Sequence, residues 1–197
     1  MRTIFLGALM ALLSGVDAGA ADVHDCDVAA AHPSDPAKVV DGVSSSEVVT
    51  HVAIPACRRA VADHPGVARF HYQLGRAIVY WAGANNADYS EGMRHLEQAA
   101  AMEHTQAQFV LGLMYLREGK VCEAEPVTKK AADRGLKSAR ISYVDHVTAG
   151  RWRDCDVSAS LFDMQEYLRG AETQVSGYYE TMLLENLQRA LARLGET

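Results

Sequence analysis

Two stretches of this chain repeat one another, and that repeat limits the folds open to it more than any other feature. Phe70-His71-Tyr72-Gln73-Leu74-Gly75 overlays Ala107-Gln108-Phe109-Val110-Leu111-Gly112, which sets the two Leu-Gly pairs 37 residues apart. A second overlay, of Ala99 to Ala107 on Ala131 to Ala139, has a shift of 32. Each unit holds two helical patterns separated by a turn, with turn signals at Gly83-Ala84-Asn85-Asn86, Gly119-Lys120, Gly135 and Gly150. A period of 30–40 residues built from helix pairs predicts an all-α fold, an α/α solenoid. The 31 alanines favour helix in the same direction. Glycine inside a helix costs about 1 kcal/mol against alanine, a cost that is tolerable where the missing side chain lets a partner helix approach. The Leu-Gly and Ala-Ala pairs therefore predict close contact between the two helices of a unit.

The N-terminus predicts export. Met1-Arg2 precedes an apolar run from Ile4 to Val16 and then Asp17-Ala18-Gly19-Ala20. A basic start, a short apolar centre and an A-x-A end match a secretory signal peptide, with cleavage after Ala20 or Ala21. The run is shorter than the roughly 20 apolar residues that cross a bilayer, so no membrane insertion is expected once it is removed. Formal net charge is −6, from 25 acids against 19 bases. That balance argues against a nucleic-acid partner, which calls for a basic footprint. The four cysteines, Cys26, Cys57, Cys122 and Cys155, read as disulfides in an exported chain. Three pairings are open, and proximity in sequence favours Cys26–Cys57 with Cys122–Cys155. No C-x-x-C is present to suggest zinc instead.

Residues 21–66 read as a disulfide-tied N-terminal arm and helix. Two prolines in His32-Pro33-Ser34-Asp35-Pro36 and the Asp41-Gly42 turn signal keep the arm irregular. Ser44 to Glu47 has capping-box spacing, and Ile54 to Asp63 carries the helical pattern, with Pro55 in its first turn. Residues 67–169 are the solenoid of about three helix-turn-helix repeats. Residues 170–197 supply a C-terminal capping helix, on which Leu183, Leu187, Ala190, Leu191 and Leu194 are expected to face the core. The same stripe also admits a partner-binding or dimerising role.

Leu111-Gly112-Leu113-Met114-Tyr115, followed by Gly119, by Lys130-Ala131-Ala132-Asp133-Arg134-Gly135 and by Ala139, resembles the Sel-one-like repeat, a branch of the tetratricopeptide-type helical repeats. Residues 107–138 match best. In residues 70–106, Ile78 replaces the Tyr and Glu103 stands where Gly135 would be; in residues 139–169, Tyr143-Val144 replaces Leu-Gly. The segment from Ile54-Pro55-Ala56-Cys57 to Gln73-Leu74-Gly75-Arg76 resembles the lead-in of exported bacterial members. The resemblance implies a periplasmic or secreted protein that holds partners in envelope regulation, assembly or host-related processes.

Catalytic signals are sparse. G-x-S-x-G, H-E-x-x-H and the phosphate-binding G-x-x-x-x-G-K-[ST] are all absent. A cysteine-rich exported subfamily of these repeats has been linked to penicillin binding, but this sequence lacks its close cysteine pair in each repeat, so that activity is not carried over. The expectation is a non-catalytic interaction scaffold or regulatory binding protein without a cofactor; the alternative is a cell-wall-related hydrolase or its accessory subunit. A second alternative is a weak copper or nickel site. If processing exposes Asp22-Val23-His24, the terminal amine, two amide nitrogens and the imidazole could make a planar four-nitrogen ring. The densest polar cluster, His24, Asp25, Cys26, Asp27 and His32, is otherwise a weak metal candidate.

Solenoids bind on the concave surface lined by the first helix of each pair. With Leu74 and Leu111 as core, that surface carries Arg69, Tyr72, Arg76 and Tyr80, then Phe109, Leu113 and Arg117, then Asp145. Arg and Tyr are enriched at interfaces. Three arginines on an acidic protein predict a basic strip for an acidic or carboxylate-bearing segment of a protein partner.

Overall fold

A computed structural model describes residues 22–196. The expected signal peptide and both expected cleavage points lie outside the described residues. Those described hold helices and no strand: α1 (Asp25–Ala30), α2 (Thr50–Asp63), α3 (Ala68–Asn85), α4 (Ser90–Ala101), α5 (Thr105–Arg117), α6 (Val121–Asp133), α7 (Lys137–Thr148), α8 (Leu161–Glu172) and α9 (Tyr178–Leu194). Each helix packs on the next in the chain, so α3/α4, α5/α6 and α7/α8 are three stacked hairpins with α9 closing the far end. None of the described helices is long and apolar enough to cross a membrane.

The spacing of the helices comes from a recurrent stop. Residues 103, 119, 135 and 150 all have left-handed backbones. At each, two amides fold back on the helix just ended: Gly135 N–H donates to Ala132 O at 2.9 Å and Leu136 N–H to Ala131 O at 3.2 Å. This is the Schellman pattern, which satisfies the last carbonyls and turns the chain. It recurs at Gly119-Lys120, at Gly150-Arg151 and, with a side chain in the strained region, at Glu103-His104.

Close approach inside the first two hairpins is real. A methyl group added at Gly75 would lie 2.9 Å from the Gly92 carbonyl oxygen of α4, and one at Gly112 would strike Thr128 Oγ1 of α6. The third hairpin is built differently. Tyr143, Trp152 and Tyr167 fill the space, with Tyr143 5.0 Å from Trp152 and 5.7 Å from Tyr167 between ring centroids. Glu125 of α6 accepts the Tyr143 hydroxyl proton and binds the Ser158 amide at 3.1 Å. Burial first, and then the bond to Glu125, push the Tyr143 phenol to a higher pKa.

Both bridges join the nearest cysteines, Cys26–Cys57 and Cys122–Cys155, at sequence separations of 31 and 33. The first pins α1 on α2. The second ties the start of α6 to the long α7–α8 loop that carries Trp152.

Three expectations need correction. Helix α2 begins at Thr50 rather than Ile54 and runs through Pro55, while the Ser44–Glu47 pair closes an isolated turn, with Glu47 Oε2 accepting the Ser44 amide at 2.9 Å. The third hairpin extends past residue 169 to Glu172. On α9 the core side is Leu184, Leu187 and Leu191, leaving Leu183 and Leu194 each 41% exposed. A terminal helix has neighbours on one side only. A narrow seam is enough for it: Leu187 and Leu191 face inward as expected, and Leu184 takes the place of Leu183.

Candidate partner groove

The N-terminal arm does not trail away. It folds over α3 and is held there by buried charge. Asp27, wholly buried, accepts Arg69 Nε at 3.0 Å and Gln73 Nε2 at 2.9 Å. Arg76, 2% exposed, donates to the carbonyls of Ala30 and Ala31 at 2.9 Å and of Val43 at 2.8 Å. Further along, Asp35 Oδ2 sits 3.3 Å from His104 Nε2, both side chains buried. The His104 Nδ1 accepts the Ala107 amide at 3.2 Å and so caps α5. With Nδ1 committed to the cap of α5 and Nε2 at ion-pair distance from Asp35 but without a hydrogen bond to it, His104 sets the arm against the second hairpin.

Folding the arm this way leaves a groove of about 640 Å³. Its walls are Tyr72, Arg76, Val79, Tyr80 and Gly83 from α3, Leu96 from α4, and Gln106, Phe109, Val110, Leu113, Met114 and Arg117 from α5. Ser138 of α7 closes one side, and His32, Ser34 and Ser45 of the arm another. Six of the eight residues expected on the binding face, Tyr72, Arg76, Tyr80, Phe109, Leu113 and Arg117, therefore come together. The other two do not. Arg69 lies behind the groove on Asp27, because a buried carboxylate takes the nearest guanidinium. Asp145, on α7, is exposed outside it, 3.8 Å from His146.

The expected open strip of three arginines is also corrected. Arg69 is sealed under the arm, Arg76 is buried on neutral carbonyls, and Arg117 stands exposed at the rim with its guanidinium carbon 5.5 Å from the Tyr89 ring centroid. Among the described residues no Asp or Glu lines the groove. His32 is held below its usual pKa by burial first and then by Arg76, and so adds no charge at neutral pH. Burial raises the Tyr72 phenol far above its ordinary value, so it stays a neutral donor. Tyr72 stacks on His104 with ring centroids 4.9 Å apart.

Sequence reasoning missed Gln106, Val110 and Met114. A signal was present, since Gln106, Phe109, Val110, Leu113 and Arg117 follow the i, i+3, i+4, i+7 spacing of one helix face. Nothing periodic marks His32, Ser34 or Ser45.

The other candidate constellations have structural partners. His71 Nε2 donates to Pro65 O at 3.0 Å, which leaves its Nδ1 to accept from His95 Nδ1 at 3.1 Å. His95 is depressed below its normal pKa, by burial first and then by His71. His146 Nδ1 accepts Arg151 Nε at 3.1 Å. At the N-terminus, the His24 imidazole accepts the Cys26 amide at 3.1 Å and the His24 amide donates to Asp27 at 2.9 Å. Copper or nickel there would have to displace both caps of α1. Among the described residues no group of three His, Cys, Asp or Glu is placed to hold a metal.

Comparison with known proteins adds no relative: no family model, curated protein or solved structure matches this chain.

Proposed function

We propose that this chain is an exported, non-catalytic binding protein of the Sel-one-like type, which presents the groove between α3 and α5 to a segment of a protein partner. The groove itself carries the reading: about 640 Å³ of mostly apolar space, roofed by the arm and lined by two arginines and no carboxylate among the described residues. Pockets of this size and mixed lining are where ligands bind. Two disulfides fit an oxidising compartment, and the periplasm is the compartment the resemblance points to. The stacked hairpins with Schellman stops at regular intervals support the repeat assignment.

A photo-crosslinking amino acid at Leu113, compared with one at the exposed Phe162 of α8, tests this in the intact cell envelope. Discrete protein adducts from Leu113, absent from Phe162 and lost with Arg117→Glu, are the expected result. Identical adducts at the two positions, or none at Leu113, would overturn the proposal.

A further inference from the structure

Two polar atoms in the groove lack what buried polar atoms almost always have. The Tyr72 hydroxyl and Gln106 Oε1 have no hydrogen-bond partner among the described residues. Both side chains are buried and both line the groove. A buried donor or acceptor left unmatched destabilises a folded protein, so such groups call for an explanation.

Their setting is rigid. Tyr72 is fixed by its stack on His104, which is itself held by Asp35 and by the first turn of α5. Gln106 is the second residue of that helix. The floor thus offers one hydroxyl donor held by a ring stack and one amide acceptor whose backbone is set in the first turn of α5. A residue in an extended chain points its own N–H and C=O to the same side, and so carries the complementary set, a carbonyl to accept and an N–H to donate. Around the floor the lining is apolar, from Leu96, Phe109, Val110 and Met114. Positive charge at the rim comes from the exposed Arg117, Arg76 is satisfied by neutral carbonyls, and the buried Asp35 carboxylate lies behind the His104 ring on which Tyr72 stacks.

We infer that Tyr72 and Gln106 read the backbone of an extended acidic-apolar segment of the partner: one of its residues meets both atoms with its own N–H and C=O, a flanking apolar side chain fills the groove and a carboxylate faces Arg117. This rests on the groove being the partner site. It adds which atoms recognise the ligand and which chemistry they select.

The probe is a fluorescein-labelled octapeptide of alternating Asp and Leu, titrated onto the full mature protein by fluorescence anisotropy. Binding is expected for this peptide and not for its Lys-Leu counterpart. N-methylating the central leucine amide removes the N–H donor and is expected to weaken binding about tenfold. Gln106→Met is expected to weaken it by a similar factor and to abolish the effect of N-methylation. Tyr72→Phe is expected to weaken binding while leaving the melting temperature equal or higher, since it deletes an unmatched polar atom. A lower melting temperature for both variants would overturn the inference, because the floor atoms would then be satisfied within the fold, for instance by buried water. Indifference to N-methylation would also overturn it, as would preference for the Lys-Leu peptide or for a single-stranded oligonucleotide. If the octapeptide fails to bind while Leu113 adducts still form, the inference falls and the groove proposal stands. If neither occurs, both fall.

Discussion

The first two hairpins and the third solve one packing problem in opposite ways. In α3/α4 and α5/α6 the helices meet across glycine: Gly75 faces the Gly92 carbonyl and Gly112 faces Thr128. In α7/α8 the glycine is replaced by Val144, the helices are separated by a long loop, and Tyr143, Trp152 and Tyr167 fill the gap around the Glu125 carboxylate. The contrast shows that a helical repeat can keep its topology while changing its packing mode. A wider gap is tolerated if aromatic volume fills it and each buried hydroxyl finds an acceptor. It also separates tasks, since the groove is lined almost entirely by the tight half.

The contrast breaks most readily at Trp152, which has no counterpart in the tight half. Trp152→Ala is expected to destabilise the protein by about 3–5 kcal/mol, the usual range for a fully buried aromatic. Urea denaturation followed by circular dichroism measures it. A cost under 1 kcal/mol would mean that the aromatic fill is dispensable.

The two bridges come next. Their loops are nearly the same length, so loop entropy assigns each about 3.5 kcal/mol. They differ in access: Cys26 and Cys57 are fully buried, whereas Cys122 is exposed. Mild thiol treatment with mass-spectrometric mapping is expected to open Cys122–Cys155 first, while Cys26–Cys57 opens only as fast as the arm unfolds. Equal rates would show that the arm is loosely held.

Within the tight half, the two glycines should respond differently. Gly75→Ala meets a backbone carbonyl and is expected to cost about 1–3 kcal/mol, with no single side-chain change to relieve it. Gly112→Ala clashes with the Thr128 hydroxyl, which itself bonds Ala124 O at 2.7 Å, and comes within 3.4 Å of that carbonyl. Adding Thr128→Ala is expected to restore most of what Gly112→Ala loses. Thermal melts of the single and double variants decide whether the clash is with that side chain.

The smallest effect is a gain. Glu103 adopts φ +65°, in the left-handed region. Glu103→Gly removes that strain at the loss of an exposed pair with Arg134 at 2.8 Å. A net stabilisation of about 0.5–1 kcal/mol is expected. A loss of stability would show that the ion pair outweighs the strain.

Glu103 also shows how the fold could be read from residues. It stands where the repeat would have the glycine of Gly135, and the Schellman stop is there all the same. Helix pairs, stops and neighbouring cysteines depend on contacts that recur locally along the chain, and such contacts leave a period. The groove was half legible for the same reason. Tyr72, Arg76, Tyr80, Phe109, Leu113 and Arg117 share faces of α3 and α5 at helical spacing, but their exposure was misjudged. Whether Arg69 and Arg76 point to solvent depends on what lies over them.

The sequence by itself placed about three helix pairs and the close contact at the Leu-Gly units, and favoured the pairing of neighbouring cysteines that the structure shows. Only the tertiary structure decided that the arm crosses α3, buries two of its arginines and roofs a groove with an unmatched polar floor. The physical reason is distance along the chain. Asp27 meets Arg69 and Arg76 meets Ala30, Ala31 and Val43 across more than thirty residues of separation. Those contacts are one of a kind, set by the buried charge that each must satisfy, and no periodicity announces them.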